Sequence, residues 1–185
     1  MNNYNKKWFL LIILSVIWGS SFILIKKGLD QLSPIQLGSL RIIFTSIVII
    51  LFSYKSLIKI KKEKWKWIVI TAYVGTFFPV YLVGFGQSEI DSGLASILTT
   101  LTPISTLVIG IFFFNLFFTK KQIVGLSVGL IGTFLLLYEG SLNSEVNIFF
   151  AVFIVITTIG YGTSVNLIKT YLTDIPPAAV TAGIF

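Results

Sequence analysis

The sequence predicts an all-α polytopic membrane protein built from inverted five-helix repeats. Three observations carry that reading. The 185-residue chain is 55% hydrophobic and only 11% charged, with mean hydropathy +0.93, whereas a soluble domain carries roughly 25% charged residues. Its apolar residues gather into stretches that approach or reach the roughly 20 residues a helix needs to cross a 30 Å hydrocarbon core. Residues 151–185 repeat residues 8–42 at an offset of 143.

Six apolar stretches are complete, at about 8–25, 34–54, 67–86, 92–116, 122–138 and 147–167, and a seventh begins near Pro176. Lys6 and Lys7 before the first run give it the look of a signal peptide, but the run is about 18 residues long and five more spans follow, so it reads as a retained helix. The second span carries Arg41 about seven residues in, and the third carries Pro79, with Tyr81 and Gln87 toward its outer end. Pro103 and three threonines interrupt the fourth, Gly125, Gly129 and Gly132 stripe the fifth, and the sixth begins the second copy of the first.

Charge sets the orientation. With the N-terminus cytoplasmic, the inner segments hold Lys6, Lys7, the run from Lys55 through Lys59, Lys61, Lys62 and Lys64 to Lys66, then Lys120, Lys121 and Lys169, which is 11 of the 14 basic residues. Lys26 and Lys27 fall outside, with Asp30, Glu89, Asp91, Glu139 and Glu145. Lysine bias in short loops is the determinant of topology. A net charge of +7 placed in this way anchors membrane loops and does not point to nucleic acid. The Lys55 to Lys66 loop is read as a topology anchor, with contact to anionic lipid as the alternative.

The chain has no Cys and no His, which removes disulfides, thiolate metal sites and the commonest general base. No metal-ligand cluster and no acid pair within the spans suggests hydrolysis, so neither cofactor nor enzymatic activity is expected.

Over Trp18 to Ile42 against Tyr161 to Phe185, seven of 25 pairs are identical: Gly19/Gly162, Ser21/Ser164, Leu24/Leu167, Ile25/Ile168, Lys26/Lys169, Leu29/Leu172 and Pro34/Pro177. The offset puts the second copy's first helix at span six, so each repeat has five spans. Five is odd, and the copies must therefore be antiparallel. Inverted repeats of this kind characterise secondary transporters, in which two halves exchange conformations to alternate access. The expected organisation is a first repeat over 1–138, an outer linker over 139–146 and the truncated start of a second repeat over 147–185, with ten helices in the complete protein.

The runs WGSSFILIKKGLDQLSPIQLGSLRIIF, SGLASILTTLTPISTLVIGIFF and GLSVGLIGTFLLL resemble the first repeat of the EamA-type drug/metabolite transporter superfamily, and YGTSVNLIKTYLTDIPPAAVTAG resembles the start of its second. That resemblance implies export of a small organic solute, an amino acid, drug or nucleotide-type metabolite, across a plasma or bacterial inner membrane. Relatives carry two complete repeats; this chain stops early, which implies that it does not transport alone. The implied partners are membrane lipids, a small-molecule substrate, and a second copy or the missing C-terminal half. A non-transporting membrane component is the alternative function.

Arg41 in hydrocarbon needs a cavity, a partner or a route to the interface. It either meets an anionic substrate group or ties helices together; the resemblance implies an Arg near this point, while its counterpart in the second copy is Ile184. Trp18, Gly19, Ser20 and Ser21 recur as Tyr161, Gly162, Thr163 and Ser164. Trp18, Ser20, Ser21, Tyr161 and Ser164 are candidate cavity residues and Gly19 and Gly162 candidate hinges, with close helix packing as the competing reading. Pro79 and Pro103 release the carbonyls of Gly75 and Thr99, predicting kinks with a gating role, and Thr99, Thr100 and Thr102 either satisfy that backbone or face solute. Tyr81 and Gln87 are cavity candidates by polarity. Gly125, Gly129 and Gly132 are assigned to helix packing. Lys26 and Lys169 occupy equivalent helix ends and are read as anchors.

Overall fold

The computed structural model describes residues 3–58, 60–141 and 147–185, with the side chains of 3, 4, 133, 134 and 136–141 outside that description. Lys59, Glu145 and most of the expected 139–146 linker therefore lie outside the described residues, as does the Glu139 side chain. Among those described, every regular element is helical: α1 (Asn3–Leu29), α2 (Pro34–Leu57), α3 (Trp65–Ala72), α4 (Phe78–Glu89), α5 (Ser92–Thr99), α6 (Thr102–Phe114), α7 (Lys120–Ser141), α8 (Ile148–Tyr171) and α9 (Pro177–Ile184). Among the described residues five spans are long and apolar enough to cross a membrane: Asn5–Leu29, Pro34–Leu57, Lys62–Glu89, Ser92–Phe114 and Ile148–Tyr171. α7 covers the expected fifth span with 22 residues. The protein is an all-α, multi-pass membrane protein.

Local chemistry explains where the spans start and bend. Ser33 caps α2 through a capping box: its hydroxyl accepts from the Gln36 N–H at 3.3 Å while Gln36 Oε1 accepts from the Ser33 N–H at 3.0 Å, and Pro34 fills the first helical position, where no N–H is needed. The third span is not a simple kinked helix. Pro79 has no N–H to give the Gly75 carbonyl, and the mismatch is absorbed by a π turn over Tyr73–Phe77, in which the Phe78 N–H reaches back to Tyr73 O. In the fourth span Pro103 stops helix α5 outright, and α6 starts afresh after Thr100 and Leu101.

Side-chain contacts fix the helix directions. The Lys26 ammonium, near the end of α1, donates to the carbonyls of Gln87, Ser88 and Ile90 at 2.8, 3.3 and 3.1 Å, so α1 and the third span end at the same side. At the other side Lys64, where the third span begins, donates to Tyr171 O at 2.8 Å and Asp174 at 2.7 Å. Here α8 ends, so α8 runs opposite to α1. Between these points Gly86 meets Ile154 and Gly75 meets Ser164 in matching antiparallel register.

Helix α8 is the hub, packed most extensively on α6 and α4. One apolar cluster, Ile60, Ile68, Leu172, Ile175, Ala179 and Val180, sits at the lysine-rich end; the other, Ile25, Val83, Ile90, Ala95 and Ile154, sits opposite. Close backbone approach occurs where glycine permits it. A Cβ on Gly160 would meet Val74 O, and one on Gly162 would meet Thr106 N and Ser105 C, at 2.5, 2.7 and 2.8 Å. A Cβ built at Gly125 or Gly132, two of the three glycines assigned to packing, would meet no described neighbour outside its own helix backbone within 4 Å. α1 exposes nearly all of its apolar residues from Trp8 to Trp18.

Candidate functional site

The break in span four organises two cavities. With no N–H at Pro103, Thr99 O loses its helical partner and is satisfied instead by the Thr102 hydroxyl at 2.7 Å, while tight turns from Thr100 N to Ile97 O and from Leu101 N to Leu98 O close α5 at 3.0 and 3.1 Å. Thr102 thus supplies the partner that Pro103 withholds from Thr99 O. On one side of the break a cavity of about 350 Å³ is lined by Trp18, Gly19, Phe22, Ser96, Thr99, Thr100, Thr102 and Pro103. On the other, a cavity of about 370 Å³ is lined by Thr102, Pro103, Thr106, Leu107, Phe118, Gln122 and Leu126. Both fall in the size range of small-molecule sites.

The walls have a definite polarity. Ser96, Thr99 and Thr100 donate their hydroxyl protons to Gly93, Ala95 and Ile97 carbonyls at 2.7, 2.8 and 2.6 Å, and Thr106 donates to Thr102 O at 2.8 Å. The lone pairs left on Ser96 and Thr99 can accept. The first cavity accordingly offers acceptors beside aromatic faces from Trp18 and Phe22. Among the described residues no group of His, Cys, Asp or Glu could hold a metal.

The structure distributes the candidate residues unevenly. Trp18, Gly19, Thr99, Thr100 and Pro103 come together in the first cavity. Ser20 and Ser21 turn back onto their own helix, donating to Ile17 O at 3.0 Å and Trp18 O at 2.6 Å. Arg41, on α2, and Tyr161, on α8, are both half-buried. Tyr81, on the adjacent span, is hydrogen-bonded to Ser39 at 3.1 Å and stacked edge-on against Phe77. Pro79 is buried beside Gly160, and Ser164 and Gly162 lie in the tight seams of α8 against Gly75 and α6. Gln87 is fully buried with neither side-chain amide atom hydrogen-bonded.

Asn166 was not singled out by sequence reasoning. Its amide donates to Thr106 O and Gly162 O, both at 2.9 Å, and with the Ser105 to Thr158 hydroxyl pair at 3.1 Å it forms a polar seam joining α6 to α8. A lone amide inside an apolar run was the available signal. At the lysine-rich end Trp67 stacks on Tyr171 with ring centroids 3.6 Å apart. Beside that stack, the hydrogen bond from Lys64 holds the Asp174 carboxyl below its ordinary value of 3.8. A lowered carboxylate pKa contributes stability above the unfolded value and loses it as pH falls through the folded one.

Residues 6–138 match the EamA-like transporter family. The chain belongs to that family. This EamA-like chain is 27% identical over 182 residues to an uncharacterized transporter of Archaeoglobus fulgidus, covering 96% of the chain and 63% of that protein. It is 30% identical over 141 residues to a Salmonella typhimurium protein named "Probable amino-acid metabolite efflux pump", covering 76% of the chain and 45% of that protein. With the uncharacterized transporter YoaV of Bacillus subtilis the identity is 26% over 137 residues, 73% of the chain and 47% of YoaV. The EamA-like chain thus spans about half to two thirds of the length of these relatives. No solved structure matches it.

Proposed function

We propose that this chain is the first five-helix repeat, and the opening of the second, of a secondary transporter that exports a small organic solute by alternating access. The observation that carries the reading is a reciprocity of faces. Ile154, Asn166 and Leu167 of α8 are 0, 1 and 5% exposed, while their counterparts 143 residues earlier, Leu11, Ile23 and Leu24 of α1, are 51, 54 and 65% exposed. The face that α8 buries against the first repeat is the face α1 leaves open. A two-fold arrangement fills that face with the second repeat's equivalent helices, and such an axis in the membrane plane underlies alternating access.

The solute would bind beside the span-four break, where hydroxyl acceptors and aromatic faces meet, with Arg41 and Tyr161 as a separate polar centre between the copies. The amino-acid efflux named for the Salmonella relative fits a solute of that size and makes amino acids the first to test. No Asp or Glu lies within α1 at depth, so a carboxylate in that helix is not the carrier of a coupling proton.

The test is efflux of amino acids from vesicles by a protein with both repeats. If Arg41 contacts an anionic group of the solute, Arg41→Lys keeps partial flux and Arg41→Gln loses on the order of tenfold to several hundredfold in apparent affinity at normal abundance. Unchanged affinity with reduced abundance in Arg41→Gln would make Arg41 a helix tie. Full flux from the 185 residues alone, with no pairing to another chain, would sink the two-repeat reading.

A further inference from the structure

A groove of about 350 Å³ opens at the lysine-rich end, lined by Ile111, Asn115, Leu116, Phe117, Phe118 and Ile123. It exists because Asn115 ends α6 in the left-handed conformation, φ 50°, with the Leu116 N–H returned to Gly110 O at 2.9 Å. Asn is among the few residues that enter this region readily. The chain then runs non-helical to Thr119, turning Phe117 outward at 96% exposure and tucking Phe118 against Gly110. The groove continues the open apolar wall of Phe112 and Phe113, a surface that faces hydrocarbon in a membrane.

Its rim is cationic. The Lys169 ammonium stands over the Phe118 ring, 5.6 Å from its centroid. Lys120 lies three residues before the wall residue Ile123 on α7, and positions three apart share a helix face. Lys121 follows, also exposed. The described acids at this end are Glu63, in the turn before α3, and Asp174, which Lys64 already neutralises at 2.7 Å. Apolar walls beneath unneutralised ammonium groups, at the depth where helices leave the membrane, match one amphiphile.

We propose that this groove is a binding site for an anionic phospholipid of the leaflet at the lysine-rich end, its acyl chain against Phe117, Ile111 and Ile123 and its phosphate between Lys120 and Lys169. The site is distinct from the cavities at the span-four break. It also differs from diffuse attraction to the Lys61 to Lys66 loop, because it requires a wall as well as charge.

The experiment uses the whole chain in vesicles of phosphatidylcholine with added phosphatidylglycerol, followed by native mass spectrometry of the lipids retained. Phosphatidylglycerol should be retained over phosphatidylcholine, and Lys120→Gln with Lys169→Gln should cut that preference roughly tenfold to thirtyfold, at about a kilocalorie per lysine near a membrane surface. Ile123→Gln should weaken retention with every lysine in place. The control is Lys61→Gln with Lys62→Gln, which should leave retention unchanged. An equal loss in that control would reduce the effect to general basic attraction and overturn the site. So would displacement of the lipid by millimolar inorganic phosphate, which would mark a soluble phosphate ligand instead.

Discussion

Gly162 and Gly19 align at the offset of 143, yet one is wedged between backbone atoms and the other has no neighbour outside its own helix backbone within 4 Å of a Cβ. The atoms facing Gly162 are Thr106 N and Ser105 C, which cannot rotate away. Gly162→Ala must therefore push α6 from α8 and strain the Asn166 bonds to Thr106 O and Gly162 O. The expected cost is about 1–3 kcal/mol of overpacking, read as a lower melting temperature in detergent. Gly19→Ala, with open space at its Cβ, should leave melting of this chain unchanged or slightly raised, since Ala is the better helix former, and an equal loss at both sites would show that the close contact at Gly162 is not what the substitution disturbs. At this scale the residue types were legible and their partners were not. Trp18, Ser20 and Ser21 were chosen because their motif recurs, and Thr99 and Thr100 because they flank Pro103; Trp18, Thr99 and Thr100 line a cavity and Ser20 and Ser21 are not in its lining, although all four hydroxyls bond their own helix. Helix phase and side-chain rotamer separate the two outcomes, and neither is written in composition.

Element ends are governed by where orphan backbone groups find partners. The third span ends at Glu89 with its last carbonyls gathered by Lys26 from α1, a cation at a helix C-terminus, where the macrodipole is negative. Lys26→Met should lower the melting temperature through loss of charge-assisted hydrogen bonds, each worth about 1.5–3 kcal/mol. Lys26→Arg should recover part of it. Lys169→Met, at the equivalent position, should do little in this chain, because the structure gives Lys169 a ring face and no carbonyl cluster. A comparable drop in both would contradict the assigned asymmetry. The two proline kinks were legible because proline lacks an N–H. Their forms were not: a π turn keeps the third span continuous, while the fourth breaks into α5 and α6. The difference lies in the neighbours. Gly160 and Ser164 of α8 clasp the π turn at Val74 and Gly75, while the threonine hydroxyls let the span-four backbone part.

For the molecule as a whole, the lysine distribution predicts which end faces the cytoplasm, and the absence of cysteine makes the test clean. Asp30 and Lys62 are both exposed, at opposite ends of the helix bundle. Asp30→Cys should react with an impermeant thiol reagent added to intact cells, and Lys62→Cys should react only after permeabilisation. Labelling of position 62 from outside would invert the proposed topology and move the lipid groove to the outer leaflet.

Composition and periodicity by themselves determined that this is a multi-pass helical membrane protein, because the bilayer admits few ways to satisfy a backbone within so apolar a chain. The internal repeat and the quoted motifs carried the EamA resemblance as well. Tertiary structure alone decided that α8 is buried while α1 lies open, that Lys26 caps a distant helix, and that Trp18, Gly19, Thr99, Thr100 and Pro103 line one cavity at the span-four break. The physical reason is that two segments alike in sequence share local propensities but not surroundings. A residue's burial and partners come from the helices packed around it, and at an offset of 143 those helices are different ones.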